Sequence, residues 1–264
     1  MIKCIGIPYD QNSSFLKGPA YAPERIRLME REGSANIYAE NGLAVEKGVV
    51  YEDEGDIVFD SLNPADAFQT IRGRIAALLA GGDKVLSIGG DHSVSWPVVD
   101  AFTDRYPGLH VLHIDAHGDL YENFDNNPYS HASPFARIME AGKVASLTQV
   151  GIRTLSTHQR EQARRYGVRI VEMNRFNFDF IADLKGPLYI SFDMDALDPA
   201  FAPGVSHHEP GGMSTRDALR IIQSVEAPIV GADLVEYNPM RDINHVTAMT
   251  GYKLMKELIA RMYE

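Results

Sequence analysis

The stretch LHVLHIDAHGD, from Leu109 to Asp119, joins an apolar run to a dense group of charges. An apolar run without polar alternation is typical of a strand buried on both faces of a parallel sheet. Side chains at every second strand position share one face, and Asp115, His117 and Asp119 have that spacing. His113 has the same parity but lies deeper, so we interpret it as a hydrogen-bonded core residue. The stretch therefore predicts a buried parallel strand that delivers two carboxylates and an imidazole at its carboxyl end.

Six more apolar runs of this kind are spread along the chain: IKCIGI, KVLSIGG, LTQVGIR, VRIVEM, PLYISFDMD and PIVGADLVE. Helical patterns lie between them, including one that begins at Asn63-Pro64 and one from about Asn244 to the C-terminus. Ser214 begins another, with Asp217 in the position of a capping box. This strand–helix alternation predicts an α/β fold of three layers, with helices on both faces of a central, mainly parallel sheet.

The overall composition limits the classes of partner. The 264 residues suffice for a sizeable core, and we expect one domain over residues 1–264. The formal net charge of −11 argues against nucleic acid and against an anionic membrane, because binding phosphate needs a basic face. An acidic surface instead steers small cations towards the protein.

Cysteine usage and the N-terminal sequence bear on the compartment. Cys4 is the only cysteine, so no intrachain disulfide forms and nothing demands an oxidising environment. We find no leader pattern and no apolar run of about 18 residues that would span a membrane. These observations predict a cytoplasmic protein.

The segment Tyr51–Asp56, YEDEGD, carries four acids in six residues. A glycine among adjacent like charges suits an exposed turn. We therefore predict a solvated loop here rather than a metal site.

Acidic and imidazole side chains follow four of the predicted strands. In an open parallel sheet, ligands collect at the carboxyl ends of the strands. The residues at these ends are Asp91, His92, Asp115, His117, Asp119, Asp193, Asp195, Asp198, Asp233 and Glu236. So many like charges in a buried site would repel each other, and burial would raise their pKa values, whereas a bound cation removes both problems.

The number and chemistry of these side chains indicate the kind of ion. They exceed what one ion usually takes, so two divalent cations that share bridging carboxylates are the simplest solution. An oxygen-rich set with few imidazoles and no thiolate favours Mn²⁺ over Zn²⁺. Other motifs fit poorly: DMDALD has Asp198 where a calcium loop needs glycine, SIGGDHS has no phosphate-binding lysine, and no G-x-S-x-G occurs.

Three motifs resemble the signatures of the ureohydrolase family, the arginases and agmatinases. They are GGDHS (residues 89–93), DAHGD (115–119) and SFDMDALDPAFAPG (191–204). The similarity extends to QNSSFLKGPAYAPERIR, YSHASPFARIMEAG and GADLVEYNP, and so spans nearly the whole chain. In detail the chain resembles the arginases of plants and related bacteria. The resemblance implies an arginase-like three-layer fold and a single ureohydrolase domain.

The resemblance also implies a ligand set for two Mn²⁺ ions in each subunit. One ion would be held by His92, Asp115, Asp119 and Asp193, and the other by His117, Asp115, Asp193 and Asp195. Asp115 and Asp193 would bridge the pair. A hydroxide shared by both ions would be the nucleophile, since metal coordination lowers the pKa of water to about 7.

Further roles follow from the same resemblance. Asp119 would transfer a proton locally, and His131, with an unperturbed pKa of about 6.5, would act as the wider proton shuttle. Glu236 would accept hydrogen bonds from the planar guanidinium of the substrate. His207 stands where many ureohydrolases have a threonine, so it bears on the choice of substrate.

The substrate would be a small cationic guanidino compound. Distinguishing arginine from agmatine needs donors for one carboxylate, and the loop after Asp119 offers Asn126, Asn127, Tyr129 and Ser130. The length of the loop and its YSHAS ending favour arginase, which converts L-arginine to urea and L-ornithine. Agmatinase, which yields putrescine and urea, or another guanidino-acid ureohydrolase is the alternative.

Two other classes share parts of this pattern. A metal-dependent deacetylase has a similar α/β layout but usually a single-metal Asp/His/Asp site, and the second Asp/His set argues against it. A non-catalytic metal-binding protein is disfavoured because all six ligand positions are occupied. The family is commonly trimeric or hexameric, so we expect a homo-oligomer.

Overall fold

A computed structural model describes all residues, Met1–Glu264. Its centre is one sheet of eight strands, and every neighbouring pair is parallel. The strands are β1 (Ile2–Gly6), β2 (Tyr51–Asp56), β3 (Lys84–Ile88), β4 (His110–Ile114), β5 (Ser146–Ile152), β6 (Arg169–Glu172), β7 (Leu188–Asp193) and β8 (Ile229–Val235). Their spatial order is β2-β1-β3-β8-β7-β4-β5-β6. The predicted α/β class with a parallel sheet is confirmed.

Seven α-helices cover the two faces of the sheet. They are α1 (Ala22–Arg31), α2 (Pro64–Ala80), α3 (Ser95–Arg105), α4 (Pro134–Glu140), α5 (Thr157–Tyr166), α6 (Thr215–Ser224) and α7 (Val246–Tyr263). Successive side chains of a strand point to opposite faces of the sheet and so belong to two separate hydrophobic cores. In β3, Leu86 belongs to the core with α1, α6 and α7, whereas Val85 belongs to the core with α2 to α5. The three predicted layers follow from this alternation.

The helix ends predicted from sequence carry the expected caps. The Asn63 side chain accepts a hydrogen bond from the Ala65 backbone at 3.1 Å. Ser214 and Asp217 form a reciprocal capping box at the start of α6. None of the helices is long and apolar enough to cross a membrane.

The prediction of a loop at Tyr51–Asp56 is wrong, because this segment is the edge strand β2. Tyr51 is buried, and its hydroxyl donates to Glu30. The acids of the strand are paired with cations that are distant in sequence: Lys3 contacts Glu52 and Glu54. An edge strand tolerates a charged sequence because one of its sides faces solvent.

Candidate metal centre and active site

The four strands that deliver the predicted site residues are adjacent in the sheet, in the order β3-β8-β7-β4. Their carboxyl ends therefore open onto one place. The glycines after β3 let the N-terminal loop approach this edge. A Cβ on Gly90 would lie 1.7 Å from the Tyr9 carbonyl oxygen, which accepts the backbone N–H of Asp91 at 3.0 Å. Only glycine permits that approach.

His92 lies at the centre of the first cluster. Its Nδ1 is 3.1 Å from Asp115 Oδ2, 3.1 Å from Asp119 Oδ2 and 3.0 Å from Asp193 Oδ2. All four side chains are buried, yet this nitrogen has no hydrogen-bond partner. An unpaired imidazole nitrogen facing three carboxylate oxygens fits a divalent cation with nitrogen and oxygen ligands.

A second cluster adjoins the first through Asp115. His117 Nδ1 lies 3.1 Å from Asp195 Oδ2 and 3.4 Å from Asp115 Oδ1. Asp115 thus directs one carboxylate oxygen to each cluster, and it belongs to both groups able to hold a metal ion. Asp193 Oδ1 accepts the backbone N–H of Asp195 at 2.7 Å, which fixes the turn after β7.

The electrostatics of these carboxylates call for a cation. Burial raises the pKa of Asp193 well above its usual value, and the neighbouring charges of Asp195 and Asp115 raise it further. Burial also raises the pKa of Asp195. A divalent ion would be the largest local charge and would stabilise all three groups in their ionised form.

A chain of hydrogen bonds on the side away from the carboxylates fixes the orientation of His92. With Nδ1 facing the carboxylates, Nε2 carries the proton and donates to Ser191 Oγ at 3.0 Å. Ser191 in turn donates to the fully buried Asp233 at 2.7 Å, and Asp233 also accepts the hydroxyls of Ser95 and Tyr189. Such a chain holds a ligating histidine in one tautomer and raises its basicity.

His113 plays a similar supporting part behind Asp115. The structure buries it completely, as expected for a core histidine, and both of its nitrogens have partners. Gln149 Nε2 donates to His113 Nδ1 at 3.0 Å, so Nε2 carries the proton and donates to Asp115 Oδ2 at 2.6 Å. Gln149 Nε2 also donates to the carbonyl oxygen of Gly118 at 2.6 Å.

Glu236 and His131 form a pair beside the clusters. Glu236 Oε1 accepts His131 Nδ1–H at 2.7 Å and the backbone N–H of His92 at 2.8 Å. Both hydrogen bonds go to Oε1, which leaves Oε2 for a ligand. Glu236 has a φ of 62° and Asp119 a φ of 48°. A left-handed backbone is strained at residues other than glycine, and such strained residues are concentrated at functional sites.

Ser14 is a site residue that sequence reasoning missed. Its hydroxyl lies 2.8 Å from His131 Nε2, and its backbone N–H donates to the same nitrogen at 3.1 Å. No spacing rule links positions 14 and 131. The only available signal was that Ser14 lies in one of the stretches that carry the family resemblance.

One cavity joins these groups. Four carboxylates line it, and no Lys or Arg does; the four belong to Asp119, Asp193, Asp195 and Glu236. His117, His131 and His207 also line the cavity. The His207 ring centroid is 5.7 Å from that of His117 and 5.5 Å from that of His131, as expected for a side chain on the cavity wall. The lining selects for a cationic ligand.

The rest of the cavity wall, called the outer lining because none of its residues belongs to the two clusters, is built by residues other than those expected. Tyr121, Phe124, Thr154 and Gln159 line it. The predicted tail contacts Asn126, Asn127 and Ser130 do not belong to this lining. Asn126 is exposed, Asn127 Oδ1 accepts the Tyr129 backbone N–H, and the buried Ser130 hydroxyl accepts from the Ala132 backbone. These three residues shape the loop in this structure rather than face the cavity.

The fold and the clustered Asp and His residues define an α/β protein of three layers with a buried site able to hold metal ions. Comparison with known protein families identifies the family. The model of the arginase family matches residues 1–260 of this chain. "Arginase 1, mitochondrial" of Arabidopsis thaliana is 44% identical and covers 98% of this chain and 80% of its own length. An agmatinase of Bacillus anthracis is 32% identical, over 96% of this chain and 89% of its own. The solved arginase of Medicago truncatula superposes with a TM-score of 0.93 at 41% identity, covering 99% of this chain and 87% of that one. The chain belongs to the arginase family.

The same relatives correct the predicted compartment. The Arabidopsis protein is named mitochondrial, and a second Arabidopsis arginase, also 44% identical, is named chloroplastic/mitochondrial. The prediction of a cytoplasmic protein is therefore wrong, and these relatives point to an organelle. The prediction rested on cysteine usage and leader patterns, which do not report where a folded domain works.

Proposed function

We propose that this protein hydrolyses L-arginine to urea and L-ornithine with two Mn²⁺ ions bound in each subunit. The observation that carries the proposal is the cavity in which a cluster of Asp and His residues adjoins an acidic side chain, Glu236, with no Lys or Arg in the lining. A guanidinium ion fits that lining. The higher identity to arginases than to an agmatinase supports arginine as the substrate.

We assign the metal ligands from the family resemblance, and the two clusters support the assignment. His92, Asp115, Asp119 and Asp193 would hold one ion, and His117, Asp115, Asp193 and Asp195 the other. Oxygen-rich ligation with two imidazoles suits Mn²⁺. When bound, a pair of divalent ions supplies the Lewis acidity that makes water nucleophilic at neutral pH.

Glu236 binds and orients the substrate in this proposal. Its free Oε2 can accept N–H groups from the planar guanidinium, while Oε1 stays fixed by His131 and by the His92 backbone. This places the guanidinium carbon next to the metal cluster. Because Glu236 is only 4% exposed, its interaction with a cation is less screened by water than at a surface.

Proton transfer is assigned to two further residues. Asp119 lines the cavity next to the metal cluster and transfers a proton to the departing amine. His131 exchanges protons between the cavity and the outside, in the role of shuttle. Burial lowers the pKa of His131, but Glu236 more than offsets burial and raises it to about 9. The Ser14 backbone N–H donates to Nε2 of the same ring at 3.1 Å.

The substrate tail would lie against the outer lining. Gln159 is buried, and its Oε1 accepts the Leu120 backbone N–H at 3.4 Å, which leaves Nε2 for a ligand. Thr154 and Tyr121 add hydroxyl groups. These neutral donors suit the α-carboxylate. The lack of Lys or Arg in the lining is the one feature that favours agmatine, which has no carboxylate, and we keep agmatine as the second candidate.

Metal removal and product analysis test the proposal. Protein stripped with a chelator should release no urea from arginine, and Mn²⁺ should restore urea and ornithine in a 1:1 ratio. Equal urea release before and after stripping would contradict the metal-dependent mechanism. The whole chain would act as one ureohydrolase domain. Assembly into a homo-oligomer, a trimer or a hexamer, remains a prediction.

A further inference from the structure

The ring of His131 has no free nitrogen. Nδ1 is bonded to Glu236 at 2.7 Å, and Nε2 faces the Ser14 hydroxyl at 2.8 Å. The side chain is 9% exposed. If His131 exchanges protons with solvent, the proton must therefore pass through one of these two partners.

The two partners differ in their access to water. Glu236 is buried, and the oxygen that contacts His131, Oε1, also accepts the His92 backbone N–H. Ser14 is exposed, at the mouth of the cavity, next to Phe15, whose ring lies 5.5 Å from that of His207. A serine hydroxyl can donate and accept at the same time. Ser14 is thus the partner that can pass a proton between the ring and water.

The loop that carries Ser14 is fixed in place. The buried Asp91 carboxylate accepts the Asn12 backbone N–H at 2.9 Å and the Ser13 hydroxyl at 3.3 Å. The Asn12 carbonyl oxygen accepts the backbone N–H of His131 at 3.2 Å. The two backbone bonds of Asn12, to Asp91 and from His131, hold Ser14 in register with the His131 ring and do not involve the Ser13 hydroxyl.

We propose that the Ser14 hydroxyl relays protons between His131 Nε2 and solvent, an inference that rests on the proposed shuttle role of His131. The hydroxyl proton passes to Nε2 while Oγ takes a proton from a solvent or buffer acid. One N–H and one O–H bond form as the serine O–H bond and the bond in the external acid break. The reverse sequence releases a proton, and no electron is transferred to an oxidant or reductant.

Three substitutions test the relay in the full-length Mn²⁺-loaded protein. Ser14→Ala should lower kcat in dilute buffer by roughly 10-fold or more while the KM for arginine changes little, because the bond it removes serves proton transfer. Added imidazole should restore the rate. Ser14→Thr, which keeps a hydroxyl, should retain it. Ser13→Ala removes the neighbouring hydroxyl, which bonds Asp91 instead of the ring, and should behave like the wild type.

A second measurement does not depend on turnover. The rate at which the His131 ring exchanges its nitrogen-bound protons with water, followed by ¹⁵N NMR, should fall in Ser14→Ala and not in Ser13→Ala. An unchanged kcat in Ser14→Ala, or a loss that neither imidazole nor threonine restores, would overturn the relay. Absence of urea release from the wild type in the same assay would instead count against the proposed function.

Discussion

His131 Nδ1 lies 2.7 Å from Glu236 Oε1, inside a site where both side chains are buried. The contact raises the pKa of His131 to about 9 and lowers that of Glu236 against the effect of burial. Asp91 and Asp119 add to the rise, whereas His207 faces the ring as a further imidazole. The pair couples the protonation of the proposed shuttle to the residue that would bind substrate.

This pair predicts a pH dependence of stability. The folded pKa of His131 lies above its unfolded value of about 6.5, so the folded state binds the proton more tightly. The resulting stability is complete below about pH 6.5 and is lost as the pH rises through 9. His131→Asn in metal-free protein should therefore lower the free energy of unfolding at pH 6 by about 3 kcal/mol and have a smaller effect at pH 10. Unfolding in urea at pH 6 and at pH 10 measures the free energy of unfolding of both proteins. An equal loss of stability at the two pH values would contradict the coupling.

Removing the carboxylate shared by the two clusters should abolish activity. Asp115 directs Oδ2 to His92 and Oδ1 to His117, so Asp115→Asn weakens both metal sites at once. We expect bound Mn²⁺ to fall below two per subunit and urea release to fall by more than about 100-fold. Elemental analysis and a urea assay measure the two effects. Asp104→Asn, at an exposed carboxylate of α3, is the matched control, and full metal content in Asp115→Asn would contradict the bridging role.

The hydrogen-bond chain behind His92 should set metal affinity. Ser191→Ala breaks the link between His92 Nε2 and Asp233, and we expect Mn²⁺ affinity to fall by about 10- to 100-fold. Titration calorimetry on metal-free protein measures the affinity. Ser95→Ala also removes a hydroxyl from Asp233 but leaves His92 untouched, so its affinity should stay near that of the wild type. Equal losses in the two variants would indicate general destabilisation instead.

The outer lining should distinguish substrates by their tails. Gln159→Leu removes the amide proposed to face the α-carboxylate, and we expect the KM for arginine to rise by about 10-fold with little change in kcat. Agmatine lacks the carboxylate, so its kinetics should not change. Steady-state urea release with both substrates measures the difference. An equal rise in KM for arginine and agmatine would show that Gln159 does not contact the α-carboxylate.

Much of the architecture was predictable because it rests on local patterns. The unbroken apolar runs predicted the parallel strands, and the spacing of Asp115, His117 and Asp119 predicted side chains that meet at one strand end. His113 has the same parity, and its deeper position in the strand predicted the buried core residue that the structure shows. Because the carboxyl ends of these strands share one edge, the sequence could predict which Asp and His side chains gather there.

The remaining features depend on contacts between distant segments. Tyr51–Asp56 forms a strand because Lys3 and other remote cations neutralise its acids, which no local rule reports. Ser14 reaches His131 through a loop fixed by Asp91. Likewise, Gln159 enters the cavity from the start of α5, whereas the expected donors of the preceding loop are used within that loop.

The most direct test of the proposed function compares guanidino substrates on the same Mn²⁺-activated protein. Urea release should be measured with L-arginine, agmatine and guanidinobutyrate, and kcat/KM determined for each. The proposed function predicts that arginine gives the highest kcat/KM, with ornithine formed in step with urea. A higher kcat/KM for agmatine, or no urea from arginine at saturating Mn²⁺, would contradict it.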